Sequence, residues 1–242
     1  MNSAEQQRQQ YLEAMGISVW MPRIDSLKTD GDTVPDSEED QSAANIAQTR
    51  LTVLREDVPA TWDALDAGIR ACEKCSLCHT RTQAVPGSGS RLARLLIIGE
   101  APGADEDKLG QPFVGASGKL LNDMLFAIGF KREDVFVTNI LKCRTPNNRD
   151  PKPAEIDACH AYLQRQIELV DPVLILTLGR VAAQSLTGMK VPVAQMRGSL
   201  HQIDDLNAPV IVTYHPAHLL RSPLDKAKSW VDLQLALQVL QG

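Results

Sequence analysis

An apolar run at residues 95–98 stops at Gly99 and is followed at once by Glu100, Asp105, Glu106, Asp107 and Phe113. The passage reads Gly99-Glu100-Ala101-Pro102-Gly103 and closes on Gln111-Pro112-Phe113-Val114-Gly115. Core packing has no use for that order. A strand that ends in glycine and delivers acids and one aromatic platform into a loop describes a receptacle for a flat, polar ring. Two other apolar runs end in polar groups, one at Asn139 and one at Tyr214-His215-Pro216. An amide can donate and accept at once, an imidazole can stabilise developing negative charge, and a carboxylate can hold water or face a cation.

A second set of candidates is made of sulfur. The five cysteines are Cys72, Cys75, Cys78, Cys143 and Cys159, and Cys143 and Cys159 flank the polar stretch at residues 144–151. An odd count without a secretion signal argues against a disulfide framework and points to a metal site. Four thiolates suit zinc or an iron-sulfur cluster, and spacing alone does not separate the two.

The elements that must position these groups follow from periodicity. Residues 95–98, 135–138, 173–177 and 210–213 read as buried strands, and 119–126, 153–169, 181–186 and 226–240 as helices. Strands separated by helix-length segments predict a three-layer α/β/α fold with a central, mostly parallel sheet. Ligands in such sheets bind beyond the carboxyl ends of the strands. That rule draws Gly99-Glu100, Asn139, Leu178-Gly179-Arg180 and Tyr214-His215-Pro216 to one rim. Gly87-x-Gly89 precedes a strand instead of following it, so a nucleotide-cofactor loop is a poor reading.

Composition sets the frame. The chain has 242 residues, 43% of them hydrophobic, which is enough for one core and an appendage. No apolar run of about eighteen residues occurs and no basic, then apolar leader is present, so a cytoplasmic protein without membrane contact is expected. The net charge of -5 is concentrated at the front, where residues 1–70 hold 13 acidic and 6 basic side chains and leave 17 acidic and 19 basic for the rest. A mildly basic remainder is compatible with a phosphate-bearing partner.

In order along the chain stand Cys72-x-x-Cys75, Arg81-Thr82, Val85-Pro86-Gly87-x-Gly89, Gly99-Glu100-Ala101-Pro102-Gly103, Gly110-x-Pro112-Phe113-Val114-Gly115, Asn139-x-x-Lys142-Cys143-Arg144 and Tyr214-His215-Pro216-x-x-Leu219-Leu220-Arg221. Over residues 69–240 this series resembles the family 4 uracil-DNA glycosylases, members of the uracil-DNA glycosylase superfamily that carry a 4Fe-4S cluster. The resemblance implies excision of uracil from DNA, with Cys72, Cys75, Cys143 and Cys159 as cluster ligands and Cys78 as the odd thiol. Phe113 matches the residue that stacks on the flipped base, Asn139 the amide that reads its edge, and His215 the donor to uracil O2. Ala101 stands where better-known branches carry an Asp, within a loop whose backbone amides face the base. Glu100 and Glu106 match acids implicated in hydrolysis, with Glu106 the favoured direct participant, while Asp105 and Asp107 read as solvated loop acids. Leu219, Leu220 and Arg221 match the loop that enters the DNA minor groove.

The front of the chain divides differently. Residues 25–60 read as an acidic, flexible linker, too poor in large apolar residues to offset ordering, ahead of a catalytic domain at 61–242. Residues 1–24 read as a docking peptide, or as a segment that packs back on its own domain. Tyr11-Leu12-x-x-Met15-Gly16-Ile17-x-x-Trp20 resembles the N-terminal peptide of the psi subunit of the bacterial replicative polymerase. That likeness implies a partner in the DNA polymerase III clamp loader or its chi subunit, engaged through residues 10–23 by a protein otherwise monomeric. A psi-like scaffold with reduced or absent glycosylase activity is the competing reading.

Overall fold

The structure, a computed structural model, describes residues 58, 59 and 61–242. The expected docking peptide at 1–24, and all of the expected linker at 25–60 except residues 58 and 59, lie outside the described residues. No helix among the described residues is long and apolar enough to cross a membrane.

The elements are α1 (Trp62–Arg70), β1 (Ser88–Gly89), β2 (Leu95–Gly99), α2 (Ala104–Leu109), α3 (Ala116–Ala127), β3 (Phe136–Asn139), α4 (Pro153–Val170), β4 (Leu174–Leu178), α5 (Arg180–Thr187), α6 (Val193–Met196), β5 (Leu200–His201), β6 (Val210–Thr213), α7 (Pro216–Arg221) and α8 (Lys226–Gln241). They build one six-stranded sheet in the order β1-β3-β2-β4-β6-β5. The four inner strands are parallel, and the two-residue edge strands β1 and β5 pair antiparallel with β3 and β6. The expected three-layer α/β/α architecture is therefore present.

Strand β2 shows why the layers form. Every residue of Leu95–Gly99 is buried, and alternation sends Leu95 and Ile97 to one face and Leu96 and Ile98 to the other. The first face packs Leu121 and Leu125 of α3 and Leu233 and Ala236 of α8. The second packs Leu163 and Ile167 of α4, Ala182 of α5 and the ring of Trp62 from α1. Helix α4 starts at Pro153, where a missing N–H costs nothing, and the Glu155 carboxylate accepts from the Lys152 amide at 2.8 Å. The same carboxylate receives Arg149 through Nη1 and Nη2 at 2.9 and 2.5 Å, which fastens the stretch between Cys143 and Cys159 to the helix.

The long strands and helices fall within a few residues of the periodicity reading. Strand β3 reaches one residue further than expected, because Asn139 still pairs with Gly99 in the parallel ladder. Helices α1, α2, α6 and α7 and both edge strands were not expected. Apart from the nine-residue α1, each is six residues or fewer, too short to display a period.

At the carboxyl end of β6, Asp232 of α8 is fully buried and accepts from Thr213 Oγ1 at 2.7 Å and from Arg197 Nη2 and Nε at 2.8 and 3.1 Å. Removing the carboxylate strands a largely buried guanidinium. Asp232→Ala is expected to lower the unfolding free energy by about 3 kcal/mol, read as a drop in the urea midpoint without a change in slope.

Candidate active site and cysteine hollow

At the carboxyl ends of the inner strands lies a cleft of about 490 Å³. Its lining includes Glu100, Glu106, Phe113, Asn139, His215 and Arg221, which four separate loops and strand ends bring together. The strand order reverses beside β2, the place where a parallel sheet opens a crevice.

Gly99 determines how closely these groups approach. A Cβ there would stand 2.4 Å from Asn139 Oδ1 and 2.6 Å from Phe113 Cζ, so only glycine lets the amide and the ring close on the strand end. Asn139 is 1% exposed and its Oδ1 is buried without a hydrogen-bond partner. A buried polar atom left unpaired is costly, and its presence in a residue lining a cleft marks a place for a ligand donor. Its backbone carbonyl is secured from below. Lys142, also 1% exposed, donates from Nζ to Asn139 O at 2.6 Å, to Thr138 Oγ1 at 2.7 Å and to Gln166 Oε1 at 2.7 Å.

Phe113 serves the core and the cleft together. Its ring packs in the cluster under α3 and stands 5.6 Å from the His215 ring, centroid to centroid, at an interplanar angle of 31°. Its φ of 55° is left-handed, an uncommon state for a bulky side chain. A Cβ on Gly118 of α3 would meet the Phe113 carbonyl oxygen at 1.8 Å, so that helix comes down directly on the Phe113 backbone.

His215 caps α7. Its Nδ1 accepts from the Ala217 amide at 3.1 Å, which leaves Nε2 to carry the proton of the neutral ring. Burial pushes its pKa down to about 4; Arg221 acts in the same direction and Glu106 against it. The ring is therefore a neutral donor at neutral pH. Gly179, between β4 and α5, has a φ of 88°, and a Cβ there would press on His215 Cβ at 3.0 Å.

The two glutamates occupy different situations. Glu106 Oε1 accepts from the Val114 and Gly115 amides at 2.9 and 3.1 Å, so the acid is a staple for the segment that follows Phe113. The Glu100 backbone carbonyl accepts from the Leu141 amide at 3.0 Å, but its carboxylate accepts no hydrogen bond from the described residues. Burial raises its pKa, Asp150 adds to the rise and Arg180 opposes it. Asp105 is exposed at the cleft edge, as a solvated acid should be. Asp107 corrects the sequence reading. It is buried and accepts from Thr82 N at 2.9 and 3.1 Å and from Thr82 Oγ1 at 2.6 Å, because α2 turns that face inward onto the Arg81-Thr82 segment.

Of the expected groove loop, Leu219 must also be reassigned. It is buried in the core under α3, since α7 packs that face of its short helix inward. Leu220 and Arg221 are exposed, Arg221 at the cleft and Leu220 on the outer side of α7, and the unforeseen Leu224 is 92% exposed on the next turn. Thr145 and Asn148 also line the cleft, and nothing in their local sequence announced it.

All five cysteines border one hollow together with Arg81 and Lys142. Arg81 Nη1 lies 3.0 Å from Cys143 Sγ. Burial pushes the Cys143 thiol up and the Cys159 thiol up to about 11. Among the described residues, no three Cys, His, Asp or Glu side chains stand as a group that would hold a single metal ion. The donor set nevertheless suits a thiolate-bound cluster, because five thiols share one hollow with the part-exposed guanidinium of Arg81, which reaches Cys143 Sγ. Ala101 belongs to both places, lining the cleft while packing against Leu77, Leu141, Cys143 and Cys159.

The family model of the uracil DNA glycosylase superfamily matches residues 86–236, the stretch that carries the sheet and the cleft. The type-4 uracil-DNA glycosylase of Archaeoglobus fulgidus is 47% identical over 161 residues, which is 64% of this chain and 81% of that protein. This chain belongs to the type-4 branch of the uracil-DNA glycosylase superfamily. The type-4 uracil-DNA glycosylase of Pyrobaculum aerophilum is 42% identical over 173 residues, 69% of this chain and 88% of the relative. A DNA polymerase of Bacillus phage SP01 is 34% identical over 158 residues, 64% of this chain and 17% of its own length.

Two outcomes follow from the geometry of this type-4 member. Gly99→Ala forces the amide or the ring away from the strand and is expected to destabilise the fold by about 1–3 kcal/mol, measured by urea unfolding. His215 takes up a proton near pH 6.5 when unfolded but only near 4 when folded, so the unfolded chain binds more protons between those values. Stability therefore falls as pH drops through that window, by about 2 kcal/mol once screening by water in the cleft is allowed for. His215→Gln should flatten that part of the stability-pH curve.

Proposed function

We propose that this chain flips uracil out of DNA and hydrolyses the bond between N1 and the sugar, releasing uracil and leaving an abasic site. The observation that carries this reading is the unpartnered Asn139 Oδ1 beside the Phe113 ring and His215 in one cleft. A base within a stacked duplex cannot reach such a recess, so it must leave the stack. Phe113 supplies an apolar face. The Asn139 side chain accepts from the uracil N3 proton and donates to O4, whereas cytosine presents an acceptor where uracil has a donor and a donor where uracil has an acceptor.

Bond breaking leaves negative charge on the departing base and positive character on the sugar. The neutral His215, donating from Nε2, stabilises the base as charge builds on O2, and does so more in the transition state than in the ground state. Glu100 is the acid left free to hold the attacking water and face the sugar cation. Glu106 contributes mainly by fixing the segment after Phe113. Arg221 and the exposed Leu220 meet the DNA, with Leu219 beneath them as core.

Cys72, Cys75, Cys143 and Cys159 are the residues that would hold a 4Fe-4S cluster. Through these four thiolates the segment before β1 would be tied to Cys143 after β3 and to Cys159 within α4 without enlarging the core. We further propose that residues 10–23 tie this activity to the clamp loader or chi subunit. The psi-like motif supports that reading.

Cleavage of end-labelled oligonucleotides at uracil after alkali treatment should be abolished or reduced at least about a hundredfold by Asn139→Ala. Absence of cleavage by the cluster-loaded protein would transfer the reading to the psi-like scaffold. Because Glu100 acts ionised, kcat/KM should fall on the acid side through a pKa above the usual 4.5, and Arg180→Ala should move that limb higher still. Cys75→Ser should lose the broad visible absorbance at roughly 400 nm. A peptide of residues 1–30 should bind purified clamp loader, and failure to bind removes the tether.

A further inference from the structure

The Phe113 platform is held in a backbone state that a phenylalanine does not choose by itself, and one means of holding it lies outside the cleft. The φ of Phe113, 55°, is set by the orientation of the peptide that joins it to Pro112. That peptide's oxygen is gripped by Arg132, from the 3-10 turn Arg132–Asp134 just ahead of β3. Arg132 Nη2 donates to Pro112 O at 2.8 Å and to Ser88 Oγ at 3.0 Å. The peptide on the other side of Phe113 is pinned as well, by Gly118 against its carbonyl oxygen. The second peptide is also held from within the cleft, by Glu106 on the Val114 amide, whereas the first is gripped only by Arg132, which does not belong to the cleft's lining.

The guanidinium is an expensive choice for this task. Among the described residues, Arg132 Nη1 is buried with no hydrogen-bond partner and no acidic side chain forms an ion pair with the group, and burial draws its pKa down to about 10. A stability role would be served better by a paired or neutral group, since an unpaired buried cation costs several kcal/mol. A charge-assisted hydrogen bond to one carbonyl oxygen is about twice as strong as a neutral one. That strength is useful where a backbone must be kept from relaxing, and sparsely populated backbone states persist only where their surroundings over-determine them.

We propose that Arg132 is a positioning residue for uracil excision, acting through the Pro112 carbonyl to hold Phe113 in its left-handed conformation so that the ring lies parallel to the incoming base. The inference rests on the uracil reading above for its functional consequence, although its structural half does not. Arg132 touches no substrate. Its effect on rate passes through Phe113, so its contribution should vanish when the ring is gone.

The test uses the full-length, cluster-loaded protein with Arg132→Met and Arg132→Lys, each alone and combined with Phe113→Ala. Single-turnover excision from a uracil oligonucleotide, oligonucleotide affinity by fluorescence anisotropy and visible absorbance are measured in parallel. Arg132→Met should slow excision about 10- to 100-fold, the scale expected when a reacting group is misplaced by about an ångström. Affinity and absorbance should stay within about twofold, Arg132→Lys should recover much of the rate, and Arg132→Met should cost nothing further in the Phe113→Ala background. An equal loss in both backgrounds overturns the proposal. A crystal structure of Arg132→Met reads the conformation directly, and a Phe113 φ still near 55° also overturns it. If the unmodified protein releases no uracil, the activity reading fails while that φ still decides the positioning role. Should Arg132→Met not fold, Arg132→Gln, which removes the charge but keeps a polar side chain, carries the same comparison.

Discussion

At Gly99 the strand backbone, the Asn139 amide and the Phe113 ring approach to a distance at which no side chain fits. The cleft depends on that constraint. With a Cβ in place, the amide would swing away or the ring would lift, and the recess between them would lose its shape. The parallel register that sets Gly99 opposite Asn139 is the condition for the approach, and the fully apolar β2 secures that register by being buried on both faces.

Holding polar groups in such a place requires opposition from every side. Asn139 keeps an unsatisfied oxygen because Lys142 fastens its backbone, and Lys142 is itself affordable inside the protein only because Thr138 and Gln166 complete its donors. Lys142 also borders the cysteine hollow. The Asn139 amide and the thiols therefore share a buried support, and Ala101 joins the cleft to the hollow a second time through apolar contact.

The acids illustrate how environment separates like groups. Glu106 and Glu100 border the same cleft, yet one is spent on two backbone amides and the other is left to respond to burial, Asp150 and Arg180. On the function proposed above, this difference favours Glu100, whereas the sequence reading favours Glu106. A carboxylate whose oxygen already accepts two hydrogen bonds is a poor holder of water, whereas an unbonded one in a half-buried position has both the vacancy and the raised proton affinity for it.

By itself the sequence determined the parallel sheet, because residues 95–98 and 173–176 are apolar without interruption, and it determined which groups end those strands: Glu100, Asn139 and His215. It also determined the thiol inventory. Those properties are local, written in runs of four to eight residues and in side chains that have no other use. Tertiary structure alone decided which neighbours each group meets. Leu219 and Leu220 are indistinguishable in the chain, and only the packing of α7 puts the first in the core and the second outside. Asp107 looks like its exposed neighbour Asp105 until Thr82, 25 residues away, supplies three hydrogen bonds. Arg132 gives no signal in sequence, since its partners Ser88 and Pro112 lie 44 and 20 residues distant. Periodicity reports which face of an element is buried; it carries no information about contacts made across the sheet, and those contacts fix the conformation of Phe113 and the free oxygen of Asn139.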